Sequence, residues 1–586
     1  MTATPVETRP TTWQLLVGGG RPLLALLVIA LIVKLIIAAA AFSGDPLTGY
    51  ATSDARYYID RALGMLGRLD DPFATEPYHL PPLYPWVLRL VPGFGEGAYG
   101  GVMILQALAG TAMLAGVFVL ARRRLGQTAA LLAAALTLLY GPLTFYETRL
   151  LGDSLATNLL IGVLVAADVL ADRPSAARAA LLGLLVSAVA LLRPQALLLA
   201  VALAVWIGMT ERRLVLAYVV GVLAMLSPFT LHNYRASGGD LIPVSDNGGV
   251  NLWLANTGPL SGTFTTHDER FGAIERQAAV ARQIAEDQAG RPLSPGGVSS
   301  WLSQEALTAI FARPGEFAKR VGLRARALLE SFETDVVCIP PVEATTIPPL
   351  RVLLLPFGVL AGLALAAALL GARFAVAPRA PMWCVAGMVV LTALVFFHYS
   401  RFRLPLVPLL ALCTAAGFER VREGGVHAGR WIAAVVGAVV VVLVSMQSAP
   451  HHAETLANGW TSLAEARLAQ VTPGDTSTVE TALDDVRRAL DNKPGFVRAD
   501  LVGARATLLI GRFDACDGHL LSLEALVPGY PPVMVQRALL AAHPGPGNRH
   551  RDTERAKQLV SELRLPAATD ATLQAGIEQV ERLLTL

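Results

Sequence analysis

A stretch of mostly apolar residues long enough to cross a bilayer leaves a chain one simple option. Inside the hydrocarbon no water pairs with backbone amides and carbonyls, so the segment crosses as a helix that pairs its own. This sequence holds eleven apolar runs, near 22–43, 98–121, 128–145, 154–171, 179–192, 195–210, 213–231, 350–371, 382–398, 403–419 and 431–447. They predict an all-α polytopic membrane protein of about eleven transmembrane helices. The halves either side of Arg193-Pro194 are the shortest. Of 586 residues, 54% are hydrophobic and 16% charged, against roughly 25% charged in an average soluble chain. The first run is too long for the apolar core of a cleaved signal peptide and carries Lys34 in its middle. It reads as a retained span after a cytoplasmic tail, 1–21.

Charge and cysteine usage exclude several classes. The net charge is +3, from 48 basic and 45 acidic residues, and predicts no nucleic-acid partner. The four cysteines, Cys338, Cys384, Cys413 and Cys516, are scattered, which is neither a disulfide framework nor a zinc pattern. Only four basic residues are Lys, and Ala, Leu and Gly abound, as in proteins of GC-rich bacterial genomes. The expected location is therefore a bacterial inner membrane. Basic residues in short loops set orientation. With the N-terminus cytoplasmic, Arg122-Arg123-Arg124, Arg173 with Arg178, Arg212-Arg213, Arg373 with Arg379, and Arg420, Arg422 and Arg430 all fall on the cytoplasmic side. Arg193, Arg401 and Arg403 then face outward, against the rule, and need another reason.

Two outward loops are long, 44–97 and 232–349. The second carries helical patterns near 269–289, 298–312 and 315–331. Its last pattern, Glu316 to Glu333, alternates basic and apolar residues like a helix lying on a membrane surface. The expected domains are thus 1–21, a catalytic membrane domain 22–449 and a soluble α-helical domain 450–586 outside the membrane. In that last region Pro494-Gly495-Phe496 and Pro528-Gly529-Tyr530 repeat at the 34-residue period of tetratricopeptide (TPR) helix pairs. Between them Ala499, Ala506, Gly511 and Ala515 are small residues suited to tight helix packing. A TPR-like array and a plain helical bundle both fit.

Four groups of residues could carry chemistry. Asp54, in Ser53-Asp54-Ala55-Arg56-Tyr57-Tyr58, lies just after the first span, where a carboxylate can be hydrated at the mouth of a membrane cavity and serve as a base. It would equally cap a helix. Glu147 and Asp153 share a short outward turn with Arg149. Charges at such depth commonly serve a site, although an Arg149–Glu147 pair and an Asp153 cap explain them too. Arg193, His232, Arg401 and Arg403 are cationic or donor groups at outer span ends; guanidinium forks suit phosphate oxygens, and snorkelling to lipid headgroups is the alternative. His79, in the Pro-rich Tyr78-His79-Leu80-Pro81-Pro82, would contact substrate or metal, or shape the loop. No spaced His/Asp set marks a metal site, and no Gly-rich nucleotide loop is present. The residues specify no cofactor; a divalent metal is the one candidate.

In order and placement these motifs resemble the GT-C superfamily of glycosyltransferases. The nearest likeness is to the bacterial branch related to dolichyl-phosphate-mannose protein mannosyltransferases and the lipid A aminoarabinose transferase. The resemblance covers roughly 20–420. It rests on Asp54 with Tyr57 and Tyr58, Pro81-Pro82-Leu83-Tyr84-Pro85, Glu147 through Asp153-Ser154, Leu192-Arg193-Pro194, Pro228 through Asn233-Tyr234, Asn251-Leu252-Trp253 with Asn256, and Arg401-Phe402-Arg403-Leu404-Pro405. It implies inverting transfer from a polyprenyl-phosphate sugar, with Asp54 as general base on the acceptor. Arg403, Arg401, Arg193 and His232 would then meet the lipid phosphate, Asp153 and Glu147 would orient hydroxyls, and Tyr57, Tyr58, His79, Asn251 and Asn256 would line the substrate loops. Three features depart from the family. Asp54 is followed by Ala55 rather than Glu, and the β-trefoil domain of the protein mannosyltransferases is absent, so a protein Ser/Thr acceptor is not implied; the C-terminal helical array has no counterpart in the aminoarabinose transferase, so lipid A is not implied either.

Competing readings are an O-antigen ligase or polymerase using diphosphate-linked glycans, a transporter, and a non-catalytic scaffold acting through the TPR-like tail. A transporter would need polar groups along several spans, and these spans are nearly bare of charge except at their outer ends. The expected partners are the lipid-phosphate donor, an unidentified glycan, lipid or protein acceptor, and a protein bound by the C-terminal domain.

Overall fold

The computed structural model describes residues 10–51, 53–70, 74–264, 274–372, 379–567 and 571–585. Among these residues the regular structure is helical, and the β-bridge between Tyr140 and Leu354 is isolated. Each apolar run becomes a helix: Gly20–Gly44, Gly100–Arg122, Gln127–Leu139, Asp153–Asp172, Ala176–Leu192, Ala196–Glu211, Val215–Ala236, Phe357–Leu369, Arg379–Val395, Leu406–Arg422 and Ala428–Ser445. Five stretches are long and apolar enough to cross a membrane: Gly20–Gly44, Gly100–Arg122, Asp153–Asp172, Ala196–Ala236 and Ala428–Ser445. Gln127–Leu139, Ala176–Leu192, Phe357–Leu369 and Ala380–Val395 are apolar but shorter. These helices turn apolar side chains outward, with Leu24, Val201 and Leu216 exposed by 63%, 65% and 75%. In water that pattern would be unstable; in hydrocarbon it is neutral. The chain is an integral membrane protein.

The chain divides into two compact units. The first comprises the chain up to Gly44, Ala51–Pro340 and Ile347–Gln447; the second comprises Asp45–Tyr50, Pro341–Thr346 and the chain from Ser448. The expected boundary near 450 thus falls at 448, with two short loop segments added. In the second unit helices run Pro450–Ala469, Thr476–Asn492, Val497–Leu509, Phe513–Leu526, Pro531–Ala542, Thr553–Ala567 and Ala571–Leu584. Gly495 and Gly529, at φ 72° and 76°, make the left-handed turns that open the helices starting at Val497 and Pro531. Only glycine takes that conformation cheaply, so the repeated Pro-Gly-aromatic motif marks a repeated turn. Ala499 and Ala506 are fully buried between helices, and Gly511, at φ 71°, turns the chain toward the helix starting at Phe513. Ala515 departs from the expectation. It is exposed, and Cys516, one residue on, fills the packed position with Leu520 and Leu523.

In the first unit the long loop 232–349 folds as helices Gly248–Thr257, Ile274–Ala289, Pro295–Ala312 and Pro314–Leu329. The start of the first pattern, 269–273, lies outside the described residues. Helix Pro314–Leu329 forms where the charge pattern predicts a helix, but part of its basic stripe turns inward. Arg320 and Arg324 are 3% and 1% exposed and point inward. Arg320 donates to the carbonyls of Gly258 (2.7 Å) and Pro259 (2.8 Å), and Arg324 to those of Leu394 (2.9 Å) and Val395 (3.0 Å). Cations at helix C-termini meet orphan carbonyls and the negative dipole end, which here outweighs exposure to headgroups.

One close helix crossing joins Ala176–Leu192 to Val215–Ala236. A Cβ at Gly183 would overlap the Tyr218 carbonyl, and one at Gly221 would stand 2.8 Å from the Ala180 carbonyl carbon. Small residues permit such backbone contact, the main source of helix attraction where no hydrophobic effect operates. Gly183→Val and Gly221→Val are each expected to lower stability by about 1–3 kcal/mol. Thermal unfolding in detergent checks this, and the double variant should cost less than the sum, because either substitution already separates the same pair of helices.

Candidate functional site

Asp54 occupies the first turn of helix Ser53–Met65, and Ser53 before it has φ 52°. Among the described residues Ser53 is the only non-glycine residue in the left-handed region. Such strain costs on the order of 1–3 kcal/mol and persists where the surroundings impose it. The Asp54 carboxylate meets Arg401, Oδ2 to Nη2 at 3.2 Å. Arg401 sits in the 3-10 turn Ser400–Arg403, and its Nε lies 3.9 Å from Asp153 Oδ1 and 3.7 Å from Asp335 Oδ2. Asp153 opens helix Asp153–Asp172 and also pairs with Arg193. Arg193 is held in extended backbone, φ −147° and ψ 98°, by the proline that follows it, which ends helix Ala176–Leu192 at Leu192. Five charged groups from separate segments thus converge.

Asp335 was not among the residues singled out from sequence. It is fully buried, accepts the Val336 and Val337 amides at 2.7 and 3.0 Å, and accepts the Tyr146 hydroxyl at 2.7 Å. Its signal resembled that of Glu147 and Asp153: Glu333 and Asp335 are two acids within three residues, just ahead of an apolar run. Aromatic rings fill the gaps, with Arg193 4.6 Å above Phe402 and Arg401 5.2 Å from Tyr399. Tyr58 packs edge-on against Tyr84 at 5.3 Å. Burial first, and the Asp54 carboxylate second, push the Tyr58 phenol up, so it stays neutral.

Other expected site residues lie elsewhere. Arg403 is fully buried and donates to the Leu328 (2.9 Å) and Glu330 (2.5 Å) carbonyls and to Glu333 Oε1 (3.0 Å), with its guanidinium 4.1 Å over Phe357. Residues two apart in a 3-10 turn leave on different sides, so Arg401 and Arg403 do not form one clamp. Glu147 accepts from Lys34 Nζ at 2.6 and 2.7 Å, each side chain 2% exposed, and not from Arg149, which stacks on Phe145 at 4.6 Å. His232 lies 4.7 Å from the Tyr78 ring and reaches the Glu76 carbonyl at 3.1 Å. Asn256 donates to Leu252 and Val395 and accepts from Arg324, while Asn251 is half-buried in helix Gly248–Thr257. Tyr57 is buried, its hydroxyl accepting the His79 amide at 3.3 Å.

His79 is held between the loops 44–97 and 232–349. Its Nδ1 meets Asp246 Oδ1 at 2.7 Å, and its Nε2 meets Gln277 at 3.2 Å. Asn233, fully buried, ties the same loops by accepting the Tyr78 amide (2.9 Å) and donating to the Ile242 and Val244 carbonyls (3.0 Å each). Burial opposes a charged imidazole, but Asp246 beside it and both hydrogen bonds outweigh that and raise the pKa.

Asp153, Arg193, Arg401, Thr157 and Phe402 line a cavity of about 20 Å³, room for roughly one water. Three carboxylates face two guanidiniums. A divalent metal does not fit this arrangement, because Arg401 already fills the place between Asp54, Asp153 and Asp335 where an ion would sit. What the cluster offers is donors. Arg401 Nε and Nη1 are buried and make no hydrogen bond. Asp54, with its side chain 20% exposed against 8% for Asp153 and none for Asp335, is the acid a second molecule can reach.

No protein-family profile matches the chain, and no curated protein matches it significantly by sequence. Its structure is similar to those of the Archaeoglobus fulgidus oligosaccharyltransferase in the apo form, tethered to an acceptor peptide, and in complex with an inhibitory peptide and a dolichol-phosphate. Identity is 14% in each case, over 78% of this chain, with TM-scores of 0.36, 0.36 and 0.37. The chain spans 58–59% of the length of those proteins.

Two outcomes follow from these contacts. Lys34→Met leaves Glu147 buried without its cation, which costs about 3–5 kcal/mol. Adding Glu147→Leu should restore much of that, as thermal unfolding of the single and double variants will show. His79 is lifted in the folded state, so its contribution is fully present below the ordinary imidazole pKa and is lost as pH rises through the lifted one. Unfolding followed from pH 5 to 9 should therefore show a decline in the wild type that His79→Gln flattens.

Proposed function

We propose that the chain is a membrane glycosyltransferase of GT-C type that transfers a sugar from a polyprenyl-phosphate carrier to an acceptor at the outer membrane face. The observation that carries this reading is the convergence of Asp54, Asp153, Asp335, Arg193 and Arg401 at the ends of apolar helices. Charges held at membrane depth are expensive and mark substrate sites. This set combines an accessible carboxylate with Arg401 Nε and Nη1, donors that make no hydrogen bond, which suits transfer from a lipid phosphate.

The chemistry assigns roles. The acceptor hydroxyl attacks the anomeric carbon from the face opposite the phosphate, so configuration inverts. The new C–O bond forms as the sugar–phosphate bond breaks, and the lipid phosphate leaves with the electron pair. Asp54 takes the hydroxyl proton. Arg401 and Arg193 hold the departing phosphate oxygens. The cavity is too small for a sugar phosphate, so donor binding parts the cluster: Arg401 turns from the carboxylates to the phosphate and leaves Asp54 facing the acceptor. Asp153 and Asp335 keep Arg401 in place before donor arrives. Glu147, Arg403 and His232 act through the frame rather than on substrate.

The same reading places the protein in a bacterial inner membrane with the N-terminus cytoplasmic and the site on the outer face. The helical unit from Ser448 is then extracytoplasmic, and its repeated helix pairs support a TPR-like surface for a protein partner. Asp54→Asn is expected to insert and unfold like the wild type while donor consumption falls on the order of 10²–10⁴-fold. The assay supplies a polyprenyl-phosphate hexose, and in parallel a polyprenyl-diphosphate oligosaccharide, to the purified protein in proteoliposomes. Full activity of the Asp54 variant would remove Asp54 as the base, and preference for the diphosphate donor would favour a ligase or polymerase.

A further inference from the structure

A second cavity lies on the other side of helix Asp153–Asp172. The small polar cavity touches Ala156, Thr157 and Leu160 of this helix, whereas Leu155, Asn158, Gly162, Val165 and Val169 border a groove of about 660 Å³. At 3.6 residues per turn these two sets point in opposite directions. The groove runs between helices Gly100–Arg122 and Ala176–Leu192, and Gly162, with nothing within 4 Å of where a Cβ would sit, leaves space for it. From Leu155 to Val169 is 14 residues, about 21 Å of helix. One leaflet of hydrocarbon is about 15 Å thick, so the groove can hold a full lipid chain. Its volume falls within the usual range for ligand sites, about 300–1,000 Å³.

Its wall is apolar except for Asn158 and Arg178, and these two differ. Arg178, at one end, donates to the Arg173 carbonyl at 2.5 Å. Asn158 Nδ2 is buried and has no hydrogen-bond partner. It lies five residues along the helix from Asp153, about 7.5 Å inward. An amide donor left unmet in hydrocarbon is costly, so an occupant that brings an acceptor at that depth is favoured over one that does not. A polyprenyl chain has only carbon there. In a glycerolipid whose headgroup lies level with Asp153, the ester carbonyls sit a few ångströms below the headgroup, where Asn158 is.

We propose that this groove binds one acyl chain of an ester-linked glycerolipid, whose ester carbonyl accepts a hydrogen bond from Asn158. The site is separate from the polar cluster and does not depend on the transfer reaction. A lipid seated there packs against the helix that presents Asp153 on its other face.

The test compares dioleoyl phosphatidylglycerol with its diether analogue, which has the same chains and headgroup but no ester carbonyl. Each is added to delipidated full-length protein in detergent, and binding is read by native mass spectrometry and by the rise in unfolding temperature. The wild type should bind one ester lipid about three- to tenfold more tightly than the ether lipid, the value of one hydrogen bond. Asn158→Leu should bind both equally, and Gly162→Phe, which fills the groove, should bind neither at that site. Asn158→Leu removes an unpaired donor, so it should fold at least as well as the wild type. Equal binding of ester and ether lipids by the wild type would overturn the proposal. So would an undiminished ester preference in Asn158→Leu.

Discussion

Arg401 holds a guanidinium within 4 Å of three carboxylates that come from distant parts of the chain. Helix Ser53–Met65, helix Asp153–Asp172 and the segment at Asp335 are oriented by this one charge. In water such pairs contribute little, because solvent competes for each group. Here Arg401 is 5% exposed and Asp335 not at all, so each charge depends on the others. Removing a single member would leave its partners buried without compensation. That mutual dependence fixes the geometry of the site before any substrate is present.

Around this centre other charges serve the frame. Lys34 reaches from the first span to Glu147 and to Thr144 Oγ1 at 3.2 Å, and a Cβ at Gly110 would stand 3.0 Å from its Nζ. Gln106 clasps the same turn by donating to the Glu147 and Arg149 carbonyls at 2.8 and 2.9 Å while accepting from Tyr84 and Ser154. The turn that carries Asp153 is therefore built on buried polar contacts. Arg403 does the same for the segment before Asp335: it binds Glu333, whose Oε1 also accepts the Tyr140 hydroxyl at 2.8 Å. A membrane domain lacks the hydrophobic drive that packs soluble helices, and such pairs together with close glycine contacts take its place.

Helix Asp153–Asp172 joins the two inferences. One face presents the acid that pairs with Arg193, and the opposite face borders an apolar groove with one unmet donor. In the transfer proposed for the first face, Arg401 trades carboxylates for phosphate, so the site changes shape as donor binds. A lipid on the second face would stiffen the same helix from behind. The two sites differ in chemistry: the polar one suits a phosphate, and the apolar one suits a chain with an acceptor at a set depth.

By itself the sequence determined the helices, because apolar length and backbone pairing are local properties. All eleven runs became helices, and Asp54, Asp153, Arg193 and Arg401 were legible as charges near the ends of apolar runs. Which charges meet was decided only by the tertiary structure. Asp335 joined the site from the end of a long loop, Arg403 turned away because a 3-10 turn separates residues two apart, and Glu147 was claimed by Lys34 from the first span. Arg320 and Arg324 looked like a membrane-facing stripe and instead closed on buried carbonyls. The reason is the same in each case: a charge at low dielectric goes to the nearest group that satisfies it, and distance through space cannot be read from distance along the chain.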